Sequence, residues 1–144
     1  MLRLVFISLI ATFLSIDAMA WTPIVSEMSS RESISKAEVK SIFTFVTRQW
    51  LEPNGRRSIV VVIYDTNTSK FNEFSRDILG MNPDVYREYI ESRVANGDIP
   101  DPIRVIFDAQ MRVTVSRNMY AIGYLNEGLY MHTPFGVKYL KIVE

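Results

Sequence analysis

The chain has 144 residues, 48% of them hydrophobic, with 16 basic and 16 acidic side chains. A balanced charge without a Lys/Arg block argues against nucleic acid, whose binding depends on phosphate neutralisation, and against a polybasic membrane-surface role. The absence of Cys excludes a disulfide scaffold and thiolate chemistry, and argues against a lipid-anchored N-terminus.

Met1-Leu2-Arg3 gives a short positive start, and Leu4 to Leu14 is almost wholly apolar. Ala18-Met19-Ala20 is the small-x-small pattern that a signal peptidase reads. The apolar run stops by Asp17, short of the roughly 20 residues that a membrane span needs. Residues 1–20 are therefore expected to be a signal peptide cleaved after Ala20, leaving a secreted domain, 21–144, with no membrane insertion. That length suits one domain with a real core.

Trp21 to Val25 predicts a strand, and Ser26 to Glu32 a polar loop. Ser35 and Glu38 have capping-box spacing, and Val39, Ile42, Phe43 and Val46 follow at helical spacing. Pro53-Asn54-Gly55 predicts a turn that delivers the chain into Ile59 to Tyr64. That run is apolar without alternation, as in a strand covered on both faces. Phe71, Phe74, Ile78 and Leu79 predict the buried stripe of a helix ended by Gly80. Asn82-Pro83 starts another helix, with Val85, Tyr86, Tyr89, Ile90 and Val94 as its apolar face and Asn96-Gly97 at its end. Ile99 to Pro102 reads as a stiff connector. Met111 to Val115 fits a strand by its alternation and a helix by an Asp108 cap. Met119 to Leu125 and Val137 to Val143 predict two further strands, with a turn at Asn126-Glu127-Gly128 between them. Strands alternating with helices give an α/β sheet domain.

The junction after Tyr64 holds five short polar residues, Asp65-Thr66-Asn67-Thr68-Ser69, where a strand hands over to a helix. Helix N-termini expose unpaired N–H groups and a positive dipole end, which suits a small anion. The same residue types are also the preferred N-caps, so from the local residues alone an ordinary capped helix start is the better account of them.

Ser35, Glu38, Ile42-Phe43, Trp50 and Asn54-Gly55 come in an order that resembles the phosphate-type periplasmic substrate-binding proteins of ABC transporters. Phe74 with Leu79-Gly80, the aromatic-rich stretch Tyr86 to Gly97, Pro102 and Ala121-Ile122-Gly123-Tyr124 continue the resemblance, which covers roughly Ile34 to Leu125. The resemblance implies a single lobe of a periplasmic-binding-protein-like (type II) fold, a mixed sheet flanked by helices, in a short form about the size of one lobe. It also implies a non-enzymatic, periplasmic protein, and it places the ligand loop for a phosphate-like oxyanion at Thr66, Asn67, Thr68, Ser69 and Lys70. The departures are a loop without Gly, and Tyr64 and Asp65 where the family carries an Arg. Gly lets a backbone approach phosphate closely, and an Asp without a cation repels a dianion, so the expected binding is weak at most. The alternative is a protein–protein interaction module of an envelope assembly, or a self-associating one, that has lost its ligand.

Other chemistry finds little support. His132 is the single His, and no Ser motif accompanies it, so no catalytic residue is assigned. No His/Cys cluster exists, and Asp98 and Asp101 lack the oxygen-ligand density of a calcium loop, so no metal or cofactor is expected. Asn67-Thr68-Ser69 matches a glycosylation acceptor but is expected to be unmodified in a bacterial envelope. Tyr64, Tyr86, Tyr89, Tyr120, Tyr124 and Tyr130 read either as a stacking surface or, more commonly, as half-buried packing residues.

Overall fold

The computed structural model describes residues 21–126 and 136–144. The expected leader, Glu127-Gly128, Tyr130 and His132 lie outside the described residues. In chain order the elements are β1 (Trp21–Ser26), β2 (Ser33–Ser35), α1 (Lys36–Phe43), β3 (Gln49–Glu52), β4 (Gly55–Ser58) and β5 (Val60–Tyr64). There follow α2 (Ser69–Phe74) running into a π-helical turn (Ser75–Leu79), α3 (Pro83–Ala95), β6 (Ile103–Val105) and α4 (Asp108–Ser116). The last elements are β7 (Ala121–Asn126), β8 (Val137–Tyr139) and β9 (Lys141–Val143).

Five strands form one mixed sheet in the order β6-β5-β7-β1-β8. β5 runs parallel to β6 and β7, while β1 runs antiparallel to β7 and β8. The turn expected at Pro53-Asn54-Gly55 joins β3 and β4, which pair as a hairpin that was not anticipated, and β2 pairs with β9. β6 and β2 were not anticipated, because three residues carry too little periodicity to be read. The strand expected over Val137 to Val143 is split: β8 joins the large sheet, and Leu140 separates it from β9.

Ser35 caps α1 as expected, its Oγ accepting the Glu38 N–H at 3.0 Å. The Glu38 carboxylate does not complete a capping box; it meets Arg31 at 3.5 Å. Val46 was expected on the buried face and is 76% exposed. The reason is Phe45, which takes a left-handed backbone (φ 60) just past the helix end, turns the chain, and fills the core position itself. Val85, expected on the apolar face of α3, is also exposed, because Tyr86 and Ile90 centre the buried stripe one residue further round. Met111 to Val115 is helical. Met111 and Val115 face inward at i and i+4, and the Gln110 side chain accepts the Ile106 and Phe107 N–H groups at the start of α4. Asp108 is thus the first helical residue and not the cap.

β7 decides how the layers close. A Cβ on Gly123 would lie 2.5 Å from the Met111 Sδ and 2.9 Å from the Val115 Cγ2, so this glycine lets α4 sit directly on the sheet. Tyr124, the next residue, points to the other face. It stacks on Phe74 with centroids 3.6 Å apart and meets Phe43, Tyr64 and Trp21 edge-on. Burial pushes the Tyr124 and Tyr86 phenols well above their ordinary pKa, so both remain neutral hydrogen-bonding groups in the core. Gly123→Val is expected to lower stability by about 1–3 kcal/mol through overpacking. Urea denaturation reads this, and adding Met111→Ala should recover part of the loss.

Candidate functional site

β5 and β6 are parallel, so α2 and α4, which follow them, both begin at the same edge of the sheet, outside the carboxyl ends of their strands. Such an edge is where open α/β sheets place ligands. The sequence expectation Thr66 to Lys70 falls on this edge.

The loop is closed mainly by its own hydrogen bonds. Asp65 extends the ladder through its N–H to the Val105 carbonyl at 2.8 Å, and its Oδ1 accepts the Asn67 N–H at 3.0 Å. Thr68 is the N-cap of α2: its Oγ1 accepts the Phe71 N–H at 3.2 Å and donates to the Asp65 carbonyl at 2.7 Å. The Thr68 N–H donates to that same carbonyl at 3.0 Å. The Thr68 N–H and hydroxyl are therefore both engaged within the loop. Among the described residues, the backbone N–H groups of Ser69 and Lys70 and the hydroxyl of Thr66 make no hydrogen bond. Asn67 and Ser69 are exposed, whereas Thr66 is 3% exposed.

Two cations reach the loop, neither of them at the position where an Arg was missed in the sequence. Arg87, on α3, donates through Nε and Nη2 to the Thr66 carbonyl at 3.0 and 2.7 Å. It also bonds Asn72 Oδ1 at 3.3 Å and Asp84 at 2.5 Å, with its guanidinium 5.7 Å from the Phe71 ring centroid. Arg87 thus fastens the loop from behind, by a fork of donors that Lys cannot reproduce. Lys70 pairs with Asp108 Oδ1 at 2.8 Å and lies 5.1 Å from the Tyr64 ring centroid. The Tyr64 hydroxyl donates to the same Asp108 oxygen. Sequence reading missed Arg87 and the pairing role of Asp108, since both are brought in by the crossover helices over 21 and 38 positions.

The remaining candidates separate from this edge. Among the described residues, Asp98 and Asp101 included, no group of three or more His, Cys, Asp or Glu comes together. Of the tyrosines, Tyr64, Tyr86 and Tyr124 are core residues, Tyr89 and Tyr120 are partly buried, and Tyr130 lies outside the described residues. A separate groove of about 550 Å³ opens near the start of β5, lined by Phe45, Arg48, Ile59, Val60, Pro100 and Pro102 among others. No helix among the described residues is long and apolar enough to cross a membrane.

Neither a protein-family model nor a curated protein matches the chain. Solved structures do. The chain is similar to an ABC-type phosphate transport receptor from Vibrio cholerae, with a TM-score of 0.61 and 15% identity over 85% of this chain and 45% of that one. It is similar to a candidate phosphate ABC transporter substrate-binding protein from Clostridium perfringens, solved with bound phosphate, with a TM-score of 0.62 and 19% identity over 85% of this chain and 44% of that one. A possible phosphate binding protein from Planctomyces limnophilus gives a TM-score of 0.62 and 16% identity over 86% of this chain and 41% of that one. At these identities the likeness is one of fold. The chain spans less than half the length of these proteins, and its mixed sheet flanked by helices corresponds to one lobe of them.

Arg87→Ala is expected to lower stability by roughly 1.5–3 kcal/mol, the range for hydrogen bonds to a charged group. It should also raise amide hydrogen exchange at Asn67 and Thr68. Arg87→Lys, which lacks the fork, should restore only part of either effect.

Proposed function

We propose that the chain is a non-enzymatic lobe of the solute-binding type, delivered to the periplasm by a leader cleaved after Ala20, that holds a small phosphate-like oxyanion weakly at Thr66–Lys70. The observation that carries this reading is the location of the loop. It lies at the carboxyl edge of parallel β5 and β6, in a fold shared with phosphate transport receptors. The donors left for an anion are the Ser69 and Lys70 N–H groups and the Thr66 hydroxyl; Thr68 and Asn67 shape the turn that presents them. The affinity is low because Thr68, Lys70 and Arg87 already have internal partners, and an anion must compete with them or do without them. Calorimetry with phosphate and with sulfate should give a dissociation constant in the millimolar range. Absence of heat at millimolar ligand would sink this reading.

A second reading, an interaction module or self-associating domain that no longer binds a solute, is favoured by a specific surface. Ile103, Ile106 and Phe107, on and just after the edge strand β6, are 43%, 54% and 64% exposed. An edge with no partner strand among the described residues, beside apolar side chains, is a ready template for association. Light scattering after size exclusion tests it: a concentration-dependent dimer, lost on Phe107→Glu, supports the module, and a strict monomer at all concentrations counts against self-association.

A further inference from the structure

The Lys70–Asp108–Tyr64 cluster carries an inference that rests on the oxyanion reading and deepens it. Tyr64 is fully buried, and its ring is held edge-on by Trp21 and Tyr124, so its hydroxyl has one fixed direction. That hydroxyl and the Lys70 ammonium, two donors from different elements, converge on one oxygen, Asp108 Oδ1. The pair is partly desolvated, with the Lys70 side chain 32% and the Asp108 side chain 17% exposed. An ammonium and a phenol meeting at a single anionic oxygen are the donors an oxyanion would need. Here they are met by a carboxylate of the chain itself, next to the loop whose Ser69 and Lys70 N–H groups have no acceptor among the described residues.

We propose that Asp108 is a built-in competitor for the oxyanion: its carboxylate occupies the Lys70 ammonium and the Tyr64 hydroxyl, and its charge repels an incoming anion. A carboxylate tethered in place acts at a high effective concentration, which a free ion at low concentration does not match. At the start of α4 the Gln110 side chain accepts the Ile106 and Phe107 N–H groups at 2.9 and 3.1 Å, a contact that does not involve the Asp108 carboxylate. Changes at Asp108 therefore alter the charge while leaving that contact in place.

The test is calorimetry with inorganic phosphate and sulfate, at matched ionic strength, on wild type, Asp108→Asn and Asp108→Ser. Circular dichroism melts accompany each protein to establish that it is folded, and the two replacements guard against misfolding of either one. Removing a like charge and releasing an ammonium at contact distance is expected to tighten binding roughly tenfold. Adding Lys70→Met to Asp108→Asn should abolish the gain. If wild type binds and both Asp108 variants bind no more tightly, the competitor role is overturned while the oxyanion reading survives. If wild type is silent and the variants bind, the competitor role stands and weak binding by the natural chain falls. Silence in all three overturns both. A gain that persists with Lys70→Met also overturns the proposal, because the ammonium would then not be the contested donor.

Discussion

The packing around Tyr124 is the constraint on which the rest of the structure depends. One ring touches Phe74 of α2, Phe43 of α1, Tyr64 of β5 and Trp21 of β1. Its hydroxyl accepts the Tyr64 N–H at 3.3 Å, a bond that supplies a partner to a backbone group at the end of β5. Gly123 beside it does the opposite, offering no side chain so that α4 can close on the other face. Successive residues on a strand point to opposite faces, so these two adjacent positions set the thickness of both layers. A large ring on one face and a bare backbone on the other make the lobe asymmetric.

That asymmetry fixes the end of β5, and with it the loop. Tyr64 is clamped between Trp21 and Tyr124, so Asp65 to Ser69 leaves the sheet from a rigid point. Gly-rich anion loops turn successive backbone N–H groups outward into a concavity. In this loop the short polar side chains take that backbone inward instead. Asp65 accepts Asn67, Thr68 accepts Phe71, and the Asp65 carbonyl collects two donors from Thr68. The cap reading and the anion-site reading of these residues are thus not alternatives of equal strength. Capping consumes the Thr68 donors and leaves the Ser69 and Lys70 N–H groups over.

Much of this was legible in the sequence, and what was not has identifiable causes. The strand at Ile59 to Tyr64, the capped helix at Ser35 and the Asn82-Pro83 start follow from period and cap chemistry, which are local. The helix stripe at Phe71, Phe74 and Leu79 was equally readable, although its second half is π-helical. There the Ser75 carbonyl accepts the Met81 N–H at 2.9 Å and the Ser75 hydroxyl reaches the Met81 carbonyl at 2.9 Å. Val46 was misplaced because a Phe, not a Gly, takes the left-handed position after α1, and nothing local announces that. At the site, the loop residues were legible as a group. The Arg87 fork and the Asp108 pairing were not, since each depends on where a crossover helix returns to the sheet.

The consequence is electrostatic. In the sequence, Lys70 beside a hydroxyl-rich loop looks like a cation waiting for an anion. In the fold its charge is already met by Asp108, and the charge of Arg87 is directed at a carbonyl and at Asp84. A partly buried ammonium left without a partner would carry a desolvation penalty whenever no ligand was present. Supplying an internal carboxylate removes that penalty and stabilises the empty lobe. On the proposed oxyanion reading, an arriving anion would gain only the difference between its own interactions and those of Asp108. A lobe with the loop left open would have the reverse balance: less stable empty, tighter when filled. The pairing of Lys70 with Asp108 therefore stabilises the lobe and, on the proposed reading, lowers its affinity for an anion.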